Sequence, residues 1–131
     1  MTGCKSAIYV ANSTSQNVAV GGAINLGGVI RRFGNNLDAV NGAVYAKGCG
    51  FFKADVSVTF TGTAGTTEIV ALQNGVPIPG AEASRTTAAA TVYTIGFPFM
   101  FRNAGEASVI TLQVNGVAAE VTNVGMTVVK V

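Results

Sequence analysis

The sequence predicts an all-β protein, an antiparallel β-sandwich with no significant helix. Apolar and polar residues alternate along its strands, most clearly at residues 54–61, where every second side chain is apolar. Glycine-rich turn sequences separate such runs at intervals typical of sandwiches and barrels. No segment has a convincing helical period or a helix cap. We therefore expect about eight short strands, each with one face on a core and one in water.

Residues 54–76 are the clearest part of this pattern. The strand at 54–61 meets a Gly-Thr-Ala-Gly break at 62–65, and a second strand follows at 67–73. Asn74-Gly75 then gives a strong hairpin signal, because both residues tolerate a positive φ. We interpret this stretch as an antiparallel β-meander.

Other turn residues divide the rest of the chain. We expect breaks at residues 48–50, 102–106 and 122–123, and a second hairpin at Asn115-Gly116. The paired prolines at 77 and 79 place their segment at a sheet edge or a bulge, because proline lacks a ladder donor. Residues 1–6 are expected to be a short N-terminal segment and residues 7–131 a single domain.

The composition points to a protein whose surface is covered by other subunits. Only 11% of residues are charged and 49% are hydrophobic, whereas an average soluble domain has about 25% charged residues. A monomer of this size normally carries more charge at its surface, which favours an oligomer. A net charge of +2 is too small for a nucleic-acid footprint. No run is long enough for a membrane helix, and the N-terminus lacks the apolar core of a signal peptide.

The sequence holds no recognisable catalytic or metal-binding constellation. The absence of histidine excludes a Ser-His-Asp triad, and the six acidic residues are scattered. We expect no enzyme activity, no cofactor and no dedicated transition-metal site, while a calcium ion on a symmetry axis stays open. Cys4 and Cys49 are expected to be free thiols in a reducing cytoplasm, with a disulfide between them as the alternative.

Three stretches together resemble the jelly-roll domains of the tumour-necrosis-factor (TNF) and C1q type. They are residues 48–60, with a glycine break and the aromatic entry Phe51-Phe52, residues 72–81 around Asn74-Gly75-Val76-Pro77, and residues 112–117 with the strand after them. The version is similar to small proteins of phages and prophages of gut Firmicutes, and to the C-terminal domains of collagen-like exosporium proteins. No Gly-X-Y stalk is present here.

This resemblance implies a ten-strand jelly roll that forms a tight homotrimer about a threefold axis. It implies a structural protein of a bacteriophage virion, made in the host cytoplasm without a signal peptide, which decorates the capsid or forms part of a tail or fibre. Its partners would be other virion proteins, capsid or tail, with no nucleic acid and no membrane. The alternatives are a carbohydrate- or receptor-binding head that recognises a host-surface glycan, and a bacterial spore-coat or surface component.

Aromatic residues are the main candidates for the subunit interface or the core: Tyr9, Tyr45, Tyr93, Phe97, Phe99 and Phe101. Flat tyrosine rings could also stack on sugars, and the phenylalanine cluster could instead dock another virion protein. Arg31 and Arg32 are the only adjacent basic pair. They are candidates for contact with an acidic partner surface, with a solvated edge pair or a bond across the trimer axis as alternatives.

Overall fold

The computed structural model describes residues 5–131, and these form ten β-strands with no helix among them. All of the strand pairs are antiparallel, so the predicted all-β class is confirmed. In chain order the strands are β1 (Ala7–Asn12), β2 (Gln16–Val18), β3 (Ala23–Ile24), β4 (Gly28–Phe33), β5 (Leu37–Val40), β6 (Ala43–Thr61), β7 (Gly65–Gln73), β8 (Val76–Thr87), β9 (Val92–Gly116) and β10 (Ala119–Lys130).

The strands form one continuous hydrogen-bonded sheet, which folds into two layers because its two longest strands, β6 and β9, run through both. The two layers are called the first and the second sheet below. In the first sheet, ordered β4-β1-β10-β6-β9, residues 48–61 of β6 pair with residues 92–105 of β9. In the second sheet, residues 43–46 of β6 and 108–116 of β9 join β5, β7 and β8. The predicted breaks at 48–50 and 102–106 are therefore wrong, because both strands continue through them while changing sheet.

Glycine makes this change of sheet sterically accessible. Gly48, Gly50 and Gly105 have φ values of 83°, 149° and 115°, which side chains with a Cβ rarely adopt. The pairing of β6 with β9 also shifts register between Ala46 and Gly48. Both strands thus bend at the same level, which closes the two layers over each other.

A single apolar core lies between the layers. On β6 the side chains of Ala54, Val56, Val58 and Phe60 are buried, while Asp55 and Ser57 between them are exposed, as the alternation predicts. The rings of Phe52 and Phe101 stack with centroids 5.2 Å apart. Full burial of one such side chain stabilises the fold by about 1.5–3 kcal/mol.

The predicted meander is wrong in its first half. β6 pairs with β5, β9 and β10, whereas β7 pairs with β8 and β9, so the turn at 62–64 crosses between the sheets. The hairpin of β7 and β8 is confirmed, with Asn74 and Gly75 at φ values of 54° and 81°. β8 lies at the end of the strand order, so Pro77 and Pro79 occupy an edge as predicted.

The second Asn-Gly does not form the expected hairpin. β9 ends at Gly116, but β10 pairs with β1, β2 and β6 in the other sheet. Gly116 has a φ of 84°, and a Cβ there would collide with the carbonyl oxygen of Thr66. Glycine is therefore needed at this position because two chain segments cross here in close contact. The predicted break at 122–123 is a register shift within one continuous strand.

Candidate functional site

An apolar row crosses the outer face of the first sheet. Side chains at paired positions share one face, and the register aligns Phe33 with Ala7, Ala7 with Val129, Val129 with Lys53, and Lys53 with Met100. Phe33, Met100 and Val129 are 60%, 52% and 41% exposed. The row of Phe33, Ala7, Val129, Lys53 and Met100, called the apolar row below, thus spans all five strands and has one charge.

Two further exposed aromatic residues flank the apolar row. Phe51, two residues from Lys53 on β6, is 52% exposed and pairs with Arg102. Tyr9, two residues from Ala7 on β1, is 40% exposed and pairs with Arg31 on one side and Thr127 on the other. Phe51 and Tyr9 therefore add aromatic surface beside the row, next to the charged side chains of Arg102 and Arg31.

Three of the predicted aromatic residues lie in the core of the single chain. Phe97, Phe99 and Phe101 are at most 8% exposed, and successive ring centroids along β9 are 6.0 and 6.1 Å apart. Because side chains alternate along a strand, Met100 between them points to the outer face. No partner subunit is needed to bury these phenylalanines.

The three tyrosines lie in separate places and form no common platform. Tyr93 packs against Phe60 with ring centroids 5.9 Å apart, and its hydroxyl accepts a 2.8 Å hydrogen bond from the Ala88 amide. The Arg85 guanidinium lies over the same ring, 5.0 Å from its centroid. Tyr45 is half-buried on β6 in the second sheet, so only Tyr9 is largely exposed.

Arg31 and Arg32 point to opposite faces of the edge strand β4. Arg32 pairs with Ile8 and forms an ion pair with Asp38, with Nη1 3.6 Å from Oδ1. Both partners are more than a third exposed, so this contact contributes at most about 1 kcal/mol. Arg31 instead shares the outer face with Tyr9, and no ion pair involves it within residues 5–131.

A buried polar network holds the bend of β9. Asn103 Nδ2 donates to the carbonyl oxygens of Gly48 and Ala46 at 2.8 and 3.4 Å, and Ser108 Oγ donates to Asn103 Oδ1 at 2.5 Å. Gln73 Nε2 donates to Ser108 Oγ at 3.2 Å. Every buried side-chain polar atom within residues 5–131 has a partner, so these groups are structural.

The acidic residues give little chemistry. No group of three or more cysteine, aspartate and glutamate side chains that could hold a metal occurs in the described part of the chain. On the second sheet, the neighbouring Glu68 carboxyl raises the pKa of Glu82 by hydrogen bonding and charge repulsion.

Cys49 is exposed, and Cys4 lies outside the described residues. Residues 5–131 contain no helix that could span a membrane.

Sequence reasoning did not single out Phe51 and Val129, and it grouped Met100 with the phenylalanines at the inner sheet or the threefold contact. The signal for Met100 was present in Phe97-Pro98-Phe99-Met100-Phe101, where strand alternation separates the phenylalanines from their neighbours. An uninterrupted apolar run hides this alternation. The lateral alignment of the row depends on the strand order, which no local pattern encodes.

Known proteins share this architecture. Murine APRIL at pH 8.5 superposes with a TM-score of 0.74 at 16% identity, covering 97% of this chain and 99% of that one. Eiger TNF from S. frugiperda gives 0.68 at 7% identity, covering 98% and 92%. The PRD1 vertex protein P5 gives 0.66 at 13% identity, covering 99% of each chain. The chain therefore has a TNF-like jelly-roll fold. No protein-family model and no curated protein matches the sequence.

Proposed function

We propose that this chain is a non-enzymatic structural protein of a bacteriophage virion that assembles as a homotrimer through the outer face of its first sheet. It would decorate the capsid or form part of a tail or fibre, in contact with other virion proteins. The observation that carries this proposal is the exposed apolar row. A fold alone does not define a function, so the surface is the stronger argument.

The apolar row suits contact with further copies of the same chain. Its exposed side chains are large and uncharged except at Lys53, and the protein as a whole is poor in charge. Apolar surfaces with few charges are typical of the centre of stable subunit interfaces. Contact between copies would remove the row from water, with a gain of roughly 25 cal/mol per Å² of apolar area.

The likeness to the PRD1 vertex protein P5 supports a place on a virion, and the resemblance to phage and prophage proteins points the same way. The gene neighbourhood tests this part. Capsid or tail genes beside the gene support a virion protein. Spore-coat genes there would replace it with the bacterial surface component.

The subunit number is tested by the mass in solution, from size-exclusion chromatography with light scattering. We expect three times the chain mass of 13.2 kDa. Met100→Glu should reduce this to one chain, because a charge at an apolar contact loses its hydration. The matched control is Val76→Glu, which changes an exposed residue at the β7–β8 turn and should leave the mass unchanged. Wild-type protein with a single-chain mass would refute the trimer, and a trimeric Met100→Glu variant would refute this interface.

A second candidate function, a carbohydrate-binding head, is favoured by one observation. The Tyr9 ring is exposed beside Arg31, and a flat ring with a neighbouring donor can hold a sugar. Saturable binding to one glycan on an array, lost in Tyr9→Ala and kept in Tyr45→Ala, would establish it.

A further inference from the structure

Strand β4 differs from every other strand in having all six residues exposed. Among residues 5–131 its only backbone partner in the sheet is β1, and it ends the strand order. Three of its side chains are large and apolar: Val29, Ile30 and Phe33 are 42%, 51% and 60% exposed. A shallow, open depression of about 570 Å³ lies along this strand and the turn that follows it. The first sheet therefore offers an open edge with apolar side chains on it.

An open edge carries unpaired backbone N–H and C=O groups, which can pair with an added strand. A bulge shortens the usable part of this edge. The register steps from the Tyr9–Arg31 pair to the Val10–Val29 pair, which leaves Ile30 as the extra residue. The bulge divides the paired part of β4 into residues 28–29 and residues 31–33, so an added strand depends on side-chain contacts as well.

The positive charge on β4 indicates which kind of segment could be added at this edge. Arg31 has no carboxylate partner within the described residues, and Arg32 has one exposed contact with Asp38. The order along the edge is apolar, Arg, Arg, apolar at residues 30–33. The complementary segment has two adjacent acidic residues flanked by apolar ones. A small hollow of about 120 Å³ lined by Tyr9, Arg31 and Phe33 can take one of its apolar side chains.

A second copy of β4 does not fit this edge. Antiparallel pairing of two copies around residues 31 and 32 would place arginine opposite arginine, which is destabilising. The arginines therefore oppose self-association and favour an acidic partner.

We infer that the β4 edge binds an extended segment of a partner protein by strand addition, and that Arg31 recognises an acidic side chain of that segment. This surface goes beyond the proposed trimer. It shares Phe33 with the end of the apolar row, but its recognition residue Arg31 lies outside that row.

The test uses a synthetic peptide of about eight residues, with two adjacent glutamates flanked by valines and threonines. We expect saturable binding to the wild-type protein by fluorescence anisotropy. Arg31→Glu should weaken binding about tenfold or more, because it sets like charges against each other. A peptide with lysines in place of the glutamates should bind Arg31→Glu better than wild type. The inference is overturned if the lysine peptide does not prefer the Arg31→Glu variant. It is also overturned if the glutamate peptide does not bind the wild-type protein at about 1 mM.

Two controls separate strand addition from simple charge attraction. A peptide of the same sequence, N-methylated on all of its backbone amides, keeps its charges but cannot donate ladder hydrogen bonds. It should not bind, and equal binding would overturn strand addition. Hydrogen exchange should show slower exchange on β4 and no change on β8, the other end of the strand order. Protection of β8 in place of β4 would also overturn the assignment.

Discussion

Replacement of Asn103 by alanine tests whether the buried polar network holds the bend of β9. Asn103 is 2% exposed and makes hydrogen bonds with three groups: the carbonyl oxygens of Gly48 and Ala46, and the Ser108 hydroxyl. Truncation leaves these groups short of a partner at the point where both long strands change sheet. The variant Asn103→Ala should therefore be less stable than the wild type.

The expected loss follows from the geometry of the bonds. A buried polar group that loses its partner costs about 1–3 kcal/mol. Loss of the 2.8 Å bond to Gly48 should cost the full amount, whereas the 3.4 Å bond to Ala46 is weak and contributes less. Ser108 keeps its contact with Gln73, so its loss is only partial. We expect a total of about 2–4 kcal/mol. With a urea slope of about 2 kcal/mol per molar, this lowers the unfolding midpoint by about 1–2 M.

Urea unfolding followed by circular dichroism, at one fixed protein concentration, measures this change. Asn35→Ala is the matched control, because Asn35 is exposed in a turn and its removal should cost less than about 0.5 kcal/mol. Ser108→Ala should cost less than Asn103→Ala, and the double variant less than the sum, since the two residues share one bond. A loss below about 1 kcal/mol for Asn103→Ala would show that the network does not hold the bend.

Two other predictions follow from burial and charge. Phe101→Asp should unfold the chain instead of releasing folded monomers, because the 4% exposed ring lies in the core of a single chain. Loss of the β-sheet circular dichroism checks this, and a folded monomer would contradict it. Because Glu68 raises the pKa of Glu82, the native state binds more protons than the unfolded state, so stability should fall slightly as the pH rises from about 4.5 upward. Glu82→Gln should remove this fall in urea midpoints measured across pH, and a wild-type protein that gains stability relative to Glu82→Gln as the pH rises would refute the assignment.

Local patterns predicted much of the strand content but not the partners of the strands. The alternation at residues 54–61 and the turn at Asn74-Gly75 depend on neighbouring residues alone, and both are confirmed. Asn115-Gly116 has the same turn sequence as Asn74-Gly75, but the chain after it enters the other sheet. A turn sequence specifies which φ values are accessible. It does not specify which strand follows as a partner.

At the candidate surface, too, local pattern predicted one part and strand pairing decided the other. Arg31 and Arg32 stood out in the sequence as an adjacent basic pair, and their alternation on a strand already implied opposite faces. Their separate roles depend on β5, which brings Asp38 to Arg32 and leaves Arg31 beside Tyr9.

By itself, the sequence determined the all-β class, the inward face of β6 and the low charge, because alternation and composition are local properties. Only the tertiary structure decided that β6 and β9 each serve two sheets, which of the two faces at residues 97–101 is buried, and that Phe33, Val129 and Met100 align in one row. These features depend on lateral pairing between strands far apart in the chain. That pairing is selected by burial of the whole core and not by any one segment.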